Sequence, residues 1–387
     1  MDRLYGLKSC LYYISFSLSF IGFILPIYAL ELGASVVEVG VLYSVFSLIS
    51  IIIRPKIGNL LDRRGRKIGI FIGVALYCLV NFLFLIGRDF KYLFYTRVFQ
   101  SIGASFLWIS VDAMVSDISH SGNRSENFGA ISQIIGRGDF VGCTIGFIIF
   151  FSSFFDEPFK VIFTIYFILS LIALYTCIFK VEETLHYKKD NKIENSKKKG
   201  KVTKFILISG FTFYVFSLVF PLYIIYLKEY ITDNLYLIGL IFLPGEAFQL
   251  FLPKKFGRLA DKYNRNNIVI TGIFLLGILQ FFMPFIKDYS GFIILYTLIS
   301  LIFMLIDPAA SGLVIDYVGD KKRGESYGLY SLAGGIGGVL GPLAGTYYYE
   351  HIGGETIFII GGILLIFISG VIKYLLGNKI ESKIFMK

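Results

Sequence analysis

Residues 58–67 read Gly58-Asn59-Leu60-Leu61-Asp62-Arg63-Arg64-Gly65-Arg66-Lys67, a short polar loop set between two long apolar runs. At an offset of 199 residues Gly58 falls on Gly257, Asp62 on Asp261 and Arg66 on Arg265. The register holds without a gap in both directions. Gly40 falls on Gly239, Asp117 on Asp316, Arg124 on Arg323 and Glu126 on Glu325. Gly129, Ser132, Gly138, Gly142 and Gly146 then fall on Gly328, Ser331, Gly337, Gly341 and Gly345. With 40 glycines in the chain a few such matches arise by chance, but charged residues in register at two separate loops and helix ends of each half do not. The chain is read as an internal duplication.

The runs around these loops say what is duplicated. The 387 residues are 56% apolar and only 17% charged, far more apolar than one soluble core needs. Twelve apolar runs recur, at roughly 9–30, 37–53, 68–87, 92–115, 128–151, 161–179, 205–227, 235–252, 268–286, 291–315, 327–349 and 356–376. Most are long enough to cross about 30 Å of hydrocarbon as a helix rising 1.5 Å per residue. The expected fold is an all-α membrane protein with twelve transmembrane helices in two six-helix bundles. The bundles occupy 1–179 and 205–376, with a basic linker at 180–204 and a tail at 377–387. The first run is too long for the apolar core of a signal peptide and is expected to be retained.

Alternate loops differ sharply in charge. One side holds 30 of the 37 Lys and Arg, the other five, and two lie within spans. By the positive-inside rule the rich side, with both termini and the central loop, is cytoplasmic, and the expected location is the plasma membrane. The net charge of +10 is thereby explained by topology and attraction to lipid headgroups, and no nucleic-acid partner is expected. Nine lysines fall in 180–204, a solvated tether by composition. The four cysteines sit within spans without CxxC spacing and the three histidines at unrelated spacings, so neither a metal nor a cofactor is expected. No Ser/His nucleophile arrangement or phosphate loop points to an enzyme.

The loop Gly58 to Lys67 resembles the signature loop of the major facilitator superfamily, GxxxDRxGR with a following basic residue. Gly58, Asp62, Arg63, Gly65, Arg66 and Lys67 fill its positions, and Gly257, Asp261 and Arg265 form a degenerate second copy. The resemblance implies a transporter in which Asp62 meets the cytoplasmic start of helix 11, near Ser326 and Tyr327. By the duplication, Asp261 should meet the start of helix 5 near Asn127 and Phe128. The pairs Asp117 and Arg124, and Asp316 and Arg323, resemble the family's second cytoplasmic charge cluster. In span 4, Arg97, Gln100, Gly103 and Ala104 are similar to the RxxQGxGA pattern of proton-coupled exporters, with Ser101 in place of its first glycine. Gly138, Gly142 and Gly146 resemble the exporter signature of helix 5, but Cys143 stands where a proline would follow. The fuller version, Gly337, Gly341, Pro342 and Gly345, lies in span 11. Four-residue spacing of glycine also explains both stripes by close helix packing alone.

What the duplication does not copy is the better pointer to chemistry. Arg97, Arg137, Asp139, Glu246 and Asp307 map onto Tyr296, Ile336, Gly338, Ser47 and Trp108, so none has a charged counterpart. A charge at the centre of a lone helix costs at least about 2.5 kcal/mol, so each should find a partner or a wet cavity. Arg97 lies near the outer end of its span and can also snorkel to the headgroups. Glu246 follows Pro244 and Gly245, a weak point of the helix. The expectation is a monomeric secondary active transporter of a small molecule, with protons as coupling ion and membrane lipid as its surroundings. Export of a lipophilic or amphipathic compound is implied by the resemblance; uptake of a small metabolite by proton symport is the alternative, and a sensor or embedded enzyme the remote one.

Overall fold

The computed structural model describes the chain apart from residues 1–3, 34–35, 88, 121, 153, 186–198, 220–221, 319–322 and 377–387, and describes only backbone at some further helical positions. Most of the central linker and the tail thus lie outside the described residues. Among the described residues fifteen α-helices make up the spans. The first span is α1 (Tyr5–Ser15) and α2 (Leu18–Glu31), and the next five are α3 (Val36–Arg64), α4 (Lys67–Ile86), α5 (Phe90–Ile118), α6 (Arg124–Phe151) and α7 (Pro158–Lys180). The seventh is α8 (Lys199–Val219) with α9 (Leu222–Tyr230), the eighth α10 (Leu235–Gln249) with α11 (Pro253–Lys262). The last four are α12 (Arg265–Phe282), α13 (Tyr289–Val318), α14 (Arg323–Ile352) and α15 (Gly354–Leu376).

Among the described residues, seven helices are each long and apolar enough to cross a membrane unaided, or eight if the bent pair at α10 and α11 counts as one. The sequence reading ended span 2 at residue 53, whereas α3 continues to Arg64 and takes in Arg54, Lys56 and half of the signature loop. The helix runs on to Arg64 with Pro55 inside it, at the loss of one backbone hydrogen bond. Gly65 ends it at φ 105°, its amide donating to the Leu61 carbonyl at 3.1 Å, as a left-handed C-terminal glycine does.

The described residues form two compact units. One comprises Met1–Ser119, Ile131–Asn191 and Asp320–Leu332; the other comprises His120–Ala130, Lys192–Gly319 and Ala333–Lys387. Each unit therefore takes the first turns of one long helix, α14 or α6, from the opposite half of the sequence. Within the first unit α4 packs on α5 and α7, α3 on α5, and α1 on α7. Within the second, α12 packs on α13 and α15, α10 on α13, and α8 on α15. These are the same helix pairs moved by six spans, so the duplication extends to packing.

The glycine stripes make the closest contacts. On α6, a Cβ at Gly138 would overlap the Tyr12 carbonyl, at Gly142 the Phe16 carbonyl, and at Gly146 the Phe20 ring. On α14, Gly337 and Gly341 face α8 at Tyr214 and Ser217, and Gly345 faces the Leu218 carbonyl. Pro342 lies within α14 without ending it. Gly142→Val should therefore cost about 3 kcal/mol in overpacking, whereas Gly22→Ala, where a Cβ meets nothing within 4 Å, should be neutral or mildly stabilising. Denaturant unfolding of both variants in detergent checks this, and equal stabilities would refute the contact.

Aromatic residues considered as cavity lining divide. Phe16 and Phe20 belong to a buried cluster of the first unit with Tyr28, Phe84, Phe163 and Tyr166, where Phe84 stacks on Phe163 at 4.8 Å. Phe213 is exposed, and Tyr12, Tyr214 and Phe216 are half-buried. The cysteines are free thiols; Cys78 donates to the Ser170 carbonyl at 3.1 Å, and Cys10 bonds Cys177 between α1 and α7.

Candidate functional site

On the lysine-rich side of the second unit the charged residues of the duplicated loops converge. The Asp261 carboxylate accepts from two backbone amides at the start of α6, Ser125 at 2.9 Å and Glu126 at 2.7 Å. Unsatisfied amides and the positive end of the helix dipole make this a natural seat for a carboxylate. The contact falls two residues before the expected Asn127 and Phe128. Close approach depends on glycine at both faces, since a Cβ at Gly257 would overlap the Ser125 carbonyl and one at Gly129 the Pro253 carbonyl. Arg265 ties the cluster together, reaching Asp261 at 2.5 Å, Asp316 at 2.7 Å and the Ser125 hydroxyl at 2.7 Å. Arg124 meets the other oxygen of Asp316 at 2.5 Å, and Glu126 accepts from Arg258 at 2.8 Å. Asp316 thus bridges two arginines that lie far apart in the chain.

The first unit repeats this arrangement in part. Arg66, fully buried, pairs with Asp62 at 2.8 Å and Asp117 at 3.1 Å, as Arg265 does with Asp261 and Asp316. Arg63 is exposed, and Lys67 donates to the Ile178 carbonyl at 2.9 Å. The contact expected of Asp62 near Ser326 and Tyr327, and the side chain of Arg323, lie outside the described residues.

Here the structure adds residues that the sequence reading passed over as linker. Glu183 caps the start of α4, accepting from the amides of Arg66 at 2.9 Å and Lys67 at 3.0 Å, and from those of Thr184 and Leu185. Thr184 donates to Asp117 at 3.2 Å. Gly65 is required beside it, because a Cβ there would strike the Glu183 carboxylate. Partial burial pushes the Glu183 carboxyl up, but the four amides outweigh it and hold the group below its ordinary value of 4.5. Its stabilising contribution is therefore complete above about pH 4.5 and is lost as pH falls through the depressed value. Glu183→Gln should cost on the order of 1 kcal/mol at pH 7, discounted for its exposure, and erase part of the loss of thermal stability between pH 6 and 3. Melting profiles of the two proteins across that range test the cap.

The charges inside the spans occupy distinct surroundings. Arg97, 7% exposed, donates to the Leu42 carbonyl at 3.2 Å and to Gln100 at 2.6 Å, and its guanidinium lies 4.5 Å from the Phe46 ring centre. It is held against α3, inside the first unit, which disposes of snorkelling. Ser101 fits where the family pattern has glycine because its hydroxyl turns onto α3, bonding the Phe46 carbonyl at 2.5 Å and Ser50 at 2.9 Å. Gly103 closes on α4 near Leu76, and Ala104 is buried. Asp139 is half-buried on α6. The Tyr77 hydroxyl lies within electrostatic reach of both Arg97 and Asp139 and bonds the Trp108 indole. Arg54, counted in a loop from sequence, is in α3 within electrostatic reach of Asp112. Arg137 and Asp307 are exposed on their own units. Glu246, half-buried in α10, faces Tyr296, which bonds Ser300; a Cβ at the adjacent Gly245 would lie 2.6 Å from the Ser300 hydroxyl. Among the described residues no other ionised side chain acts on Glu246, and none form a group able to hold a metal ion.

The chain as a whole has counterparts among known proteins. The model of the Major Facilitator Superfamily matches residues 9–255 and 205–384. The chain belongs to that superfamily. Among similar relatives is the quinolone resistance protein NorA of Staphylococcus aureus (strain COL), 26% identical over 93% of this chain and 92% of that protein. The multidrug resistance protein 1 of Bacillus subtilis (strain 168) is 26% identical over 85% of this chain and 86% of that protein. In fold it resembles the human organic anion transporter MFSD10 (TETRAN), with a TM-score of 0.77 at 15% identity over 96% of this chain and 97% of that one. The superfamily member described here is an integral membrane transporter and not an enzyme.

Proposed function

We propose that this transporter is a proton-coupled exporter of lipophilic or amphipathic small molecules, with its lysine-rich side facing the cytoplasm. The observation that carries the reading is Glu246, a half-buried carboxylate in mid-span beside the Pro244 and Gly245 weakness, with no other ionised side chain acting on it among the described residues. Holding a charge there is costly, and taking up a proton relieves the cost. Arg97, Tyr77 and Asp139 form a second candidate relay in the first unit. Arg137 and Asp307, charged and exposed at mid-helix, fit a water-filled path better than a lipid-facing surface. Efflux is supported by relatives named for quinolone and multidrug resistance. The duplicated charge clusters serve in this reading as latches on the cytoplasmic side, each holding the start of α6 or α14.

The test is transport in inside-out vesicles of a fluorescent lipophilic cation and of a quinolone. Accumulation inside the vesicle that collapses with the pH gradient is the expected result. Movement in the opposite sense under the same gradient would favour uptake by symport, and indifference to the gradient would refute proton coupling.

A further inference from the structure

The helix α11 carries a surface that the latch does not use up. Its ten residues turn Pro253, Gly257 and Ala260 inward, and α11 is bent by 55° from α10. At 100° per residue the opposite arc holds Lys254, Arg258, Lys262, Lys255 and Leu259, all exposed. Four of these five positions are cationic. The acid that meets this face among the described residues is Glu126, at 2.8 Å from Arg258 and 3.8 Å from Lys254. Lys255 and Lys262 flank Leu259 on the far side of the arc, and Lys262 lies 5.8 Å from the centre of the Tyr263 ring. Tyr263 and Phe251, at either end of the helix, are each 58% exposed. Ammonium groups beside an exposed leucine and aromatic rings, at the polar end of a membrane span, match the junction of phosphate headgroup and acyl chain.

We propose that the outer face of α11 is a binding site for anionic phospholipid headgroups, with Lys255 and Lys262 gripping the phosphate and Leu259 and Tyr263 seated at the acyl boundary. Charge complementarity selects this occupant. A cationic face at a span end adjoins a lipid surface whose phosphates carry the opposite sign, and the apolar residues among the lysines distinguish it from a purely solvated face. Arg258 adds a consequence. It is shared between the lipid-facing arc and Glu126, whose own amide is held by Asp261, so headgroup occupancy and the latch compete for one guanidinium. The site rests on the membrane-embedded fold but not on substrate, direction or coupling.

The experiment uses the full-length protein in nanodiscs of phosphatidylcholine with graded phosphatidylglycerol, followed by native mass spectrometry of the lipid retained. Lys255→Gln with Lys262→Gln should weaken phosphatidylglycerol retention by about fivefold per lysine. The control is Lys204→Gln with Lys373→Gln, which removes the same charge from exposed sites on the lysine-rich side and should change little. Added inorganic phosphate should not displace the lipid. Equal losses in both variants would show diffuse attraction and overturn the site, as would equal retention of phosphatidylcholine and phosphatidylglycerol, or displacement by free phosphate. Leu259→Ser supplies an arm that leaves charge intact, and it should shorten retention if the acyl boundary is part of the site. Because binding is read without transport, failure here leaves the proposed function standing, and failure of export leaves the lipid site standing.

Discussion

Replacing Glu246 by Gln is expected to abolish accumulation driven by a pH gradient while leaving substrate exchange largely intact. Exchange needs no net proton movement, whereas uphill transport needs a group that takes up a proton on one side and gives it up on the other. Glutamine keeps the shape of the side chain but cannot titrate. The surroundings favour Glu246 for this task, since it faces Tyr296 and no other ionised side chain acts on it among the described residues. Asp139→Asn is the companion variant, since Asp139 and Arg97 both lie within electrostatic reach of the Tyr77 hydroxyl. The measurement is paired, gradient-driven uptake and counterflow in the same proteoliposomes. If both variants retain full gradient-driven accumulation, the two acids are structural and coupling lies elsewhere.

Asp261→Asn should weaken the hold on the start of α6 by up to about 2 kcal/mol, which corresponds to roughly a thirtyfold shift between closed and open states. Asparagine offers one acceptor oxygen where aspartate offers two, so one of the amides of Ser125 and Glu126 loses its partner, and the charge that meets Arg265 is gone. Arg265→Lys is the informative companion. A lysine can satisfy Asp261 or Asp316 but cannot reach both together with the Ser125 hydroxyl. Maleimide labelling of a single cysteine placed at residue 130, in a background without other cysteines, reads the change. Labelling rates that match the unaltered protein in both variants would refute the latch.

The loops and their duplication were legible because charge and glycine are fixed in register where a loop must turn and a helix start must be met. Asp261 could be sent to the start of helix 5 by carrying what the family resemblance implies for Asp62 through the duplication, within two residues of where the structure has it. The residues missed are those whose meaning is purely tertiary. Glu183 and Thr184 read as the beginning of a polar tether, and only the fold brings them onto Gly65 and Asp117. Arg54 looked like a loop cation because hydropathy falls there, although the helix runs on to Arg64. Tyr77 and Trp108 carried no signal at all among so many aromatics. Ser101 departs from the family's glycine, and what its hydroxyl bonds, the Phe46 carbonyl of α3, is set by the fold and not by the pattern.

The interruption between Ser15 and Leu18 has a mechanical meaning. A straight helix across a bilayer is a single lever, and anything that tilts one end displaces the other. At this interruption the first span becomes two shorter rods, with Gly142 lying against the Phe16 carbonyl at the joint. The second rod, α2, is anchored in the aromatic cluster around Phe20 and Tyr28, and the first, α1, on α7. A displacement at one face can then be absorbed at the joint, at the cost of a few torsions, without tearing the packing at the other.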